Sequence, residues 1–302
     1  MAVDRSNLNV FFSCGCAIGG DTLVLGGGVA NHPDAATSII LIKIGEDWRT
    51  YVLQGDSVIS IEYYDGQCFI LGEDGAFTTF GRAGQSFSWS EISGSFIESL
   101  MPQGKRNGSF ESIKYIDGHL YACGWGGQVY KYDNNNWMDF FSGILVDDDL
   151  LNICGGGGEI YCFGMRGIGY HYIDDTWEKI HIPTNVHINS SWMRNNGKIL
   201  LAGNKGVLCE GQKNKWSIIS NDVTKDTIWS ITEFSDKVFF STTKNLFELK
   251  NDTPKKLKLP KDVEYLFNNL VVNRNQLWSV GEIELLCLEN GILKIIPCPE
   301  NQ

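Results

Sequence analysis

The sequence predicts an all-β protein, a seven-bladed β-propeller of four-stranded antiparallel blades. Three observations lead to this prediction: a composition suited to short strands and tight turns, a unit of about forty residues that recurs seven times, and a four-strand pattern inside that unit. Glycine is abundant at 34 of 302 residues, proline is scarce at 7, and aromatic residues make up 12%. Short strands joined by glycine turns give such a composition, whereas long helices do not.

The clearest part of the repeat is a G-x-x-G turn followed by a tryptophan. Three such turns, at 124–127, 164–167 and 203–206, are followed ten residues after the closing glycine by Trp137, Trp177 and Trp216. A fourth turn, at 72–75, precedes Trp89 with a four-residue insertion. Glycine is expected in these turns because a positive φ is cheap for glycine. Each tryptophan, on an outer strand, is expected to cover the neighbouring sheet.

A second column stands twelve residues upstream of each turn and consists of a polar residue followed by an apolar one. The polar residues are Ser60, Ser112, Asn152, Ser191, Ser230 and Asn269. From Ser112 onward their spacing is 40, 39, 39 and 39 residues. Chance alignment of glycine-rich hairpins does not account for a spacing this regular, and a β-helix would need shorter coils.

The last two repeats depart from the pattern. In the sixth, Asn245 occupies the closing glycine position and Lys255 the tryptophan position. In the seventh, Gly281 keeps the opening glycine, whereas Glu284 and Lys294 replace the other two residues. Asparagine is the next choice after glycine for positive φ, so this conformation is predicted for Asn245.

The first repeat is the most altered, and it bears on how the propeller closes. Glycines 26–28 are expected to open its turn and Trp48 to end the repeat, with residues 29–37 inserted between them. Two closures remain open. Residues 6–12 supply the outer strand of the last blade, or they begin the first blade and residues 293–297 close the ring. In either case the chain is expected to form a single domain over 1–302.

The third repeat shows the strand pattern most plainly. Its strands are expected at 110–116, 119–123 and 128–132, with the fourth beginning at Trp137. The connecting turns are Asp117-Gly118, the G-x-x-G segment and the polar stretch 133–136. Four strands in about forty residues are the content of one propeller blade.

These repeated units resemble the propeller repeat of photosystem II assembly and stability factors and, more loosely, the Asp-box (BNR) repeats of sialidases. The resemblance covers nearly the whole chain, and it implies a propeller architecture. The nearest segment to an Asp-box, 174–177, lacks the serine and glycine that this box normally carries. The resemblance therefore implies a fold and no particular chemistry.

Charge and cysteine content limit the partners and the compartment. The net charge of −11 opposes binding to nucleic acid and to anionic membranes and suits a basic protein partner. Nine cysteines are scattered through apolar strand patterns, as expected of small buried side chains in a reducing compartment. Cys14 and Cys16 are too close for a zinc knuckle, so no metal and no other cofactor is expected. No signal peptide or membrane span is recognisable, and the cytoplasm is the expected location.

No catalytic constellation is apparent. The seven arginines share no blade position, so a sialidase-like arginine triad cannot be assigned. His119 and His171 are expected to pack inside strands, and the glycine run 155–158 to form a hairpin rather than a phosphate loop. The alternative function is a carbohydrate-active hydrolase or lyase working in the central funnel, for which Glu62 and Arg194 are the residues to mutate.

A partner is expected on the face that carries the turns between second and third strands and the connections between blades. Length variation is concentrated there, at 29–37, 93–109 and 141–149. The candidate partner-binding residues are Trp125, Arg166, Lys205, Glu73, Asp74, Lys105, Arg106, Asp147, Asp148 and Asp149. Trp125 is the leading candidate, because exposed tryptophan is common in interface hot spots, although it could equally plug the central funnel.

These observations predict a non-enzymatic, protein-binding propeller from a bacterial cytoplasm that is a monomer on its own. An acidic single-domain protein of this kind suits an immunity protein that neutralises a basic toxin domain. The degenerate repeats also suit an assembly factor.

Overall fold

The computed structural model describes residues 10–29, 37–81, 108–133, 136–141, 148–219, 222–260 and 267–299. These residues form seven antiparallel sheets, each made of strands that follow one another in the chain. Six of the sheets have four strands, and the second has three described strands. The prediction of an all-β, seven-bladed β-propeller is confirmed.

The strands are grouped by blade. Blade 1 contains β1 (Val10–Ile18), β2 (Thr22–Val29), β3 (Thr37–Ile44) and β4 (Asp47–Gln54). Blade 2 contains β5 (Val58–Tyr64), β6 (Gln67–Gly72) and β7 (Phe77–Phe80), and Trp89 lies outside the described residues. Blade 3 contains β8 (Phe110–Ile116), β9 (His119–Gly124), β10 (Val129–Asp133) and β11 (Asn136–Asp139). Blade 4 contains β12 (Leu150–Gly156), β13 (Glu159–Gly164), β14 (Gly169–Ile173) and β15 (Thr176–Ile180).

Blade 5 contains β16 (Ile188–Met193), β17 (Ile199–Gly203), β18 (Leu208–Gln212) and β19 (Lys215–Ile218). Blade 6 contains β20 (Ile228–Phe234), β21 (Lys237–Thr242), β22 (Asn245–Lys250) and β23 (Thr253–Lys256). Blade 7 contains β24 (Phe267–Val272), β25 (Gln276–Gly281), β26 (Leu285–Glu289) and β27 (Ile292–Ile296). Three one-turn 3-10 helices, Trp125–Gly127, Met165–Gly167 and Asn204–Gly206, join the second and third strands of blades 3, 4 and 5.

The chain divides into two compact units. Unit 1 comprises Met1–Ser99 and Leu259–Gln302 and holds blades 1, 2 and 7, and unit 2 comprises Leu100–Lys258 and holds blades 3 to 6. The single-domain organisation stays a prediction.

The strands of unit 1 show which of the two predicted ring closures is present. The first described strand, β1, is the first strand of blade 1, and β27 is the fourth strand of blade 7. Blade 7 is therefore made of consecutive strands, as the second alternative requires. Blade 1 packs directly on blade 7, where Phe12 shares an apolar cluster with Trp278. The side-chain amide of Asn273 also donates to the Ile18 carbonyl oxygen at 3.2 Å.

The expectation that glycines 26–28 open a turn is wrong. All three lie inside β2, which continues to Val29 and pairs with both β1 and β3. A side chain at Gly27 would collide with the carbonyl oxygen of Phe11 on β1, and one at Gly28 would collide with the Phe11 ring. These glycines therefore belong to a strand instead of a turn, and because they lack side chains they allow β1 to approach β2 closely.

The predicted strands of blade 3 agree with the structure at most boundaries. The first strand is Phe110–Ile116, as expected. The second strand ends one residue later than expected, and the third begins and ends one residue later. Asp117 and Gly118 both have positive φ, at 45° and 92°, which is the backbone of a two-residue type I′ hairpin turn. Local turn chemistry thus sets the strand ends here.

Every blade has a β-bulge near the start of its first strand. The residue after the bulge is the polar one predicted from the repeat in blades 2, 3, 4, 6 and 7. In blade 5 it is Ser190, which pairs with Ala202, so the assignment of Ser191 is wrong by one position. The reason is a longer turn between β16 and β17, in which the Arg194 amide donates to the Lys198 carbonyl oxygen.

The positive φ expected of Asn245 is also wrong. Asn245 is the first residue of β22 and pairs with Thr242, so only two residues connect β21 to β22. Residues with positive φ are found in the longer turns of blades 2 to 5, for example Gly75 and Gly167 at 92° and 71°. The shorter connection in blade 6 does not need a left-handed residue at the position of the closing glycine.

The tryptophans of the outer strands pack as predicted in blades 4 and 5. Trp177 lies on β15, and its Nε1 donates to the Phe140 carbonyl oxygen at 2.9 Å, on the segment that leaves blade 3. Trp216 on β19 meets the Phe163 ring of blade 4 edge to face, with 5.7 Å between ring centroids. Each indole therefore covers the preceding blade and buries apolar surface between two sheets.

All nine cysteines are free and buried, which confirms their prediction as small core residues. Burial raises the pKa of Cys14 and of Cys154 to about 12, with Ser13 and Ser191 respectively opposing the shift by hydrogen bonding. Both thiols are therefore protonated near neutral pH and are poor nucleophiles and poor metal ligands.

Candidate partner-binding face

The face proposed for a partner is defined most completely in unit 2. The chain enters each blade beside the turn that joins the second and third strands of that blade. The turn amides of Trp125, Met165 and Asn204 donate to the carbonyl oxygens of Ser109, Asp149 and His187 at 2.9, 2.9 and 3.0 Å. The turns and the blade entries of unit 2 therefore lie on one side, as strand order predicts. We call this side the unit 2 loop face.

The opening position of each G-x-x-G turn must be glycine because there is no room for a side chain. Gly164 has a φ of −161°, an extended backbone that any residue adopts. A side chain there would collide with the Asp149 carbonyl oxygen, and one at Gly203 with the His187 carbonyl oxygen. The expectation that positive φ explains these glycines is therefore wrong for the opening position. It is right for the closing position, where Gly127 and Gly206 have φ of 67° and 71°.

The residue before the closing glycine also has a left-handed backbone in blades 3 to 5. It is Gly126 in blade 3, Arg166 in blade 4 and Lys205 in blade 5, with φ of 66°, 56° and 57°. For a residue with a side chain this conformation costs about 1 kcal/mol. Arg166 and Lys205 are both exposed, so the turns hold two basic side chains in solvent at a defined position.

Trp125 is anchored, with its indole partly open to solvent. The side chain packs on Gly108, where an added Cβ would lie 2.8 Å from the Trp125 Cβ and 3.6 Å from its Cε3. The indole Nε1 donates to Glu111 Oε1 at 2.6 Å, and 39% of the residue remains exposed. An indole fixed in this way loses little side-chain freedom when it binds.

The two aspartates at the entry to blade 4 support neighbouring turns. Asp149 Oδ1 accepts from the Gly126 amide at 3.0 Å. Asp148 binds the Arg166 guanidinium at 2.9 Å and also faces Lys179 and the Tyr170 hydroxyl at 3.6 and 3.3 Å. Asp148 and Asp149, which were predicted to bind a partner, thus also organise the face. Burial raises the pKa of Tyr170 to about 12, and the neighbouring Asp148 adds to this increase.

Sequence reasoning missed the role of His187. Its Nδ1 accepts a hydrogen bond from the Arg166 amide at 3.1 Å. His187 thus holds the turn of blade 4 in the same way that Asp149 holds the turn of blade 3. The signal is positional, since Asp149 and His187 are each the last residue before a first strand.

Trp229 was also missed. It is the bulge residue of β20, is 43% exposed, and donates from its Nε1 to Thr243 Oγ1 at 3.0 Å. Asn189 occupies the bulge of β16, and its side-chain amide bonds both Asn204 Oδ1 and the Ile228 carbonyl oxygen at 3.0 Å. Hydrogen bonds between turns and blade entries therefore link the unit 2 loop face from blade 3 to blade 6.

The remaining predicted residues fall elsewhere. Glu73 and Asp74 are exposed on the corresponding turn of blade 2 in unit 1, where the Asp74 amide donates to the Asp56 carboxylate at 2.9 Å. Lys105, Arg106 and Asp147 lie outside the described residues. Most of the insertions at 29–37, 93–109 and 141–149 lie outside them as well.

The arginine of the enzyme alternative is occupied by structural contacts. Arg194 pairs with Glu210 at 2.7 Å and with Glu233 at 2.9 Å, which joins blade 5 to blade 6. Hydrogen bonding to Glu233 is the main cause that raises the Arg194 pKa. Within the described ranges, no group of three or more His, Cys, Asp or Glu side chains could hold a metal ion. In the same ranges, no helix is long and apolar enough to span a membrane.

No protein-family model matches the chain. In sequence it is similar to the immune protein Tsi7 of Pseudomonas aeruginosa, with 25% identity over 221 residues, 69% of this chain and 72% of Tsi7. In structure it is similar to YCF48 bound to D1 peptide, with a TM-score of 0.68, 15% identity and coverage of 96% of this chain and 94% of YCF48. It is also similar to virginiamycin B lyase from Staphylococcus aureus, with a TM-score of 0.67, 12% identity and coverage of 80% and 84%.

At these identities the two solved structures show the fold alone. They confirm the propeller architecture that the repeat implied. The chain is thus a seven-bladed β-propeller whose sequence is similar, over most of its length, to that of an immune protein.

Proposed function

We propose that this protein is a non-enzymatic, protein-binding propeller that acts as an immunity protein and neutralises a toxin domain. The observation that carries the proposal is the similarity to the immune protein Tsi7, which extends over 69% of this chain and 72% of that protein. An immunity protein needs a rigid surface that holds its toxin, and it needs no catalytic group of its own.

The unit 2 loop face supports this function. Trp125, Arg166 and Lys205 are exposed, yet the backbone that carries them is fixed by hydrogen bonds to Ser109, His187 and Asp149. Side chains on fixed turns pay little ordering entropy on binding, which favours slow dissociation. Slow dissociation is what a protein that guards against a toxin requires.

Charge and thiol content support the partner and the compartment that we propose. A net charge of −11 steers a toxin domain of net positive charge toward this protein. Nine free, buried thiols favour a reducing compartment, so we place the protein in the bacterial cytoplasm, as a monomer before it meets the toxin.

The test uses, as the candidate toxin, the protein encoded by the gene adjacent to the gene for this protein. We expect coexpression of the two proteins to restore growth that the toxin alone abolishes. We also expect the purified pair to elute as a 1:1 complex in size-exclusion chromatography with light scattering. An unrelated propeller of similar charge serves as the control. Persistent toxicity, together with separate elution of the two proteins at micromolar concentration, would refute the proposal.

A further inference from the structure

The Trp125 turn has a composition that suits one kind of partner side chain. One side of the indole rests on Gly108, its Nε1 is held by Glu111 at 2.6 Å, and the residue is 39% exposed. Because Glu111 already occupies the only polar group of the indole, a partner meets the aromatic ring itself. The ring attracts apolar groups and, through its quadrupole, cations.

Two carboxylates near Trp125 favour a cation over an apolar group as its partner. Glu111 bonds the Trp125 side chain, and Asp149 bonds the amide of the next residue, Gly126, at 3.0 Å. A cation above the ring is attracted by both carboxylates, whereas an apolar group gains nothing from them. Arg166, on the neighbouring turn of the face, is paired with Asp148 at 2.9 Å.

We propose that Trp125, Glu111 and Asp149 form a recognition site for a single arginine or lysine side chain of the toxin domain. This inference rests on the proposed function and names the chemistry of the partner at this site. The cation lies over the indole and pairs with the carboxylates, so aromatic and ionic attraction act on the same group. The net charge of −11 for the whole chain acts in the same direction.

Trp229 provides a matched control. It is exposed to a similar degree, at 43%, and lies in the same unit, but its Nε1 donates to the hydroxyl of Thr243 instead of a carboxylate. The two indoles therefore have similar exposure but differ in the charge of the group that accepts from Nε1. Removing the charge beside Trp125 should matter only if a cation binds there.

The experiment measures the affinity of the neighbouring-gene toxin for the full-length protein and its variants. We expect Trp125→Ala to weaken binding by about tenfold or more and Glu111→Gln, which keeps the hydrogen-bond acceptor, by at least about threefold. The effect of Glu111→Gln should shrink in high salt. Trp229→Ala should not alter the salt dependence. Unchanged thermal unfolding of each variant verifies that the fold is intact.

Substitutions in the toxin identify the partner side chain. Each exposed arginine and lysine of the toxin is changed to methionine, and double-mutant cycles are completed with Trp125→Ala. One of these cations should couple strongly to Trp125 and Glu111. Normal affinity of both Trp125→Ala and Glu111→Gln, or coupling to apolar toxin residues alone, would overturn the recognition site while leaving the immunity function intact. A toxin that does not bind the unaltered protein would instead contradict the proposed function.

Discussion

The side-chain amide of Asn152 donates a 2.9 Å hydrogen bond to the carbonyl oxygen of Ile188, between the first strands of blades 4 and 5. Similar bonds reach the first residue of the next blade from Ser13 to Val58, at 2.9 Å in unit 1, and from Asn189 to Ile228, at 3.0 Å in unit 2. A polar side chain at or beside the bulge thus satisfies a backbone carbonyl of the following blade.

Asn152 is buried, so its loss should be measurable in stability. We expect Asn152→Ala to lower the free energy of unfolding by about 1–2 kcal/mol, because the Ile188 carbonyl loses its side-chain donor. Asn152→Asp should cost more, since it buries a charge and places an acceptor against an acceptor. Urea denaturation measures both. The exposed Asn185 provides the control, and a loss as large for Asn185→Ala would argue against this account.

The opening glycines of the turns allow a second test of packing. We expect Gly164→Ala to destabilise the fold by about 2 kcal/mol, because the new Cβ collides with the Asp149 carbonyl oxygen. Gly156 is the matched control, since an added Cβ there meets nothing within 4 Å. Thermal unfolding of the two alanine variants should therefore differ clearly. Equal stability would show that the chain entering blade 4 can move aside.

Several features of this fold are readable from the sequence because their causes are local. The Asp117-Gly118 turn and the G-x-x-G turns are set by neighbouring residues, and blade 3 accordingly matches its prediction closely. The error at Ser191 comes from one extra residue in a turn, which spacing alone could not place. The error at Asn245 has a similar origin, because its turn is shorter than that of the other blades.

The candidate site was less predictable because its contacts cross between blades. His187 accepts from Arg166, which is 21 residues away, and Asn189 bonds Ile228, which is 39 residues away. The acceptor in the second contact is a backbone carbonyl, so no residue type marks it. Trp125 could be singled out, since exposed tryptophan is common in interface hot spots, but its anchoring by Glu111 depends on the bulge in β8.

A buried histidine should make stability depend on pH. His171 stacks on Tyr161 with 4.2 Å between ring centroids, and its Nε2 lies 3.2 Å from Glu159 Oε2. Burial lowers the His171 pKa, although Glu159 opposes the shift. As pH falls, the unfolded chain therefore binds this proton at a higher pH than the folded protein does. The contribution of His171 to the free energy of unfolding, present above the unfolded pKa of about 6.5, is lost as pH falls below that value.

We expect the slope of this loss to be at most about 1.4 kcal/mol per pH unit for one proton. His171→Phe, which keeps the aromatic stack, should flatten the dependence between about pH 6.5 and 5. His181→Gln, which removes an exposed histidine, supplies the control for the loss of an imidazole. Urea denaturation across this range measures the slope. A profile of His171→Phe that parallels the parent would assign the dependence to other groups.

The Arg194 ion pairs should stabilise the junction between blades 5 and 6 rather than support catalysis. Arg194 and both of its partners, Glu210 and Glu233, are mostly shielded from solvent. We expect Arg194→Ala to lower the free energy of unfolding by about 1–2 kcal/mol at low salt, and by less in 1 M NaCl, because screening weakens the pairs. Lys198, which contacts Glu210 from a more exposed position, is the control, and Lys198→Ala should change stability by less than about 0.5 kcal/mol. Toxin affinity measured on the same variants should stay at the parent value, and a large loss of affinity for Arg194→Ala with unchanged stability would reassign this residue to a binding site.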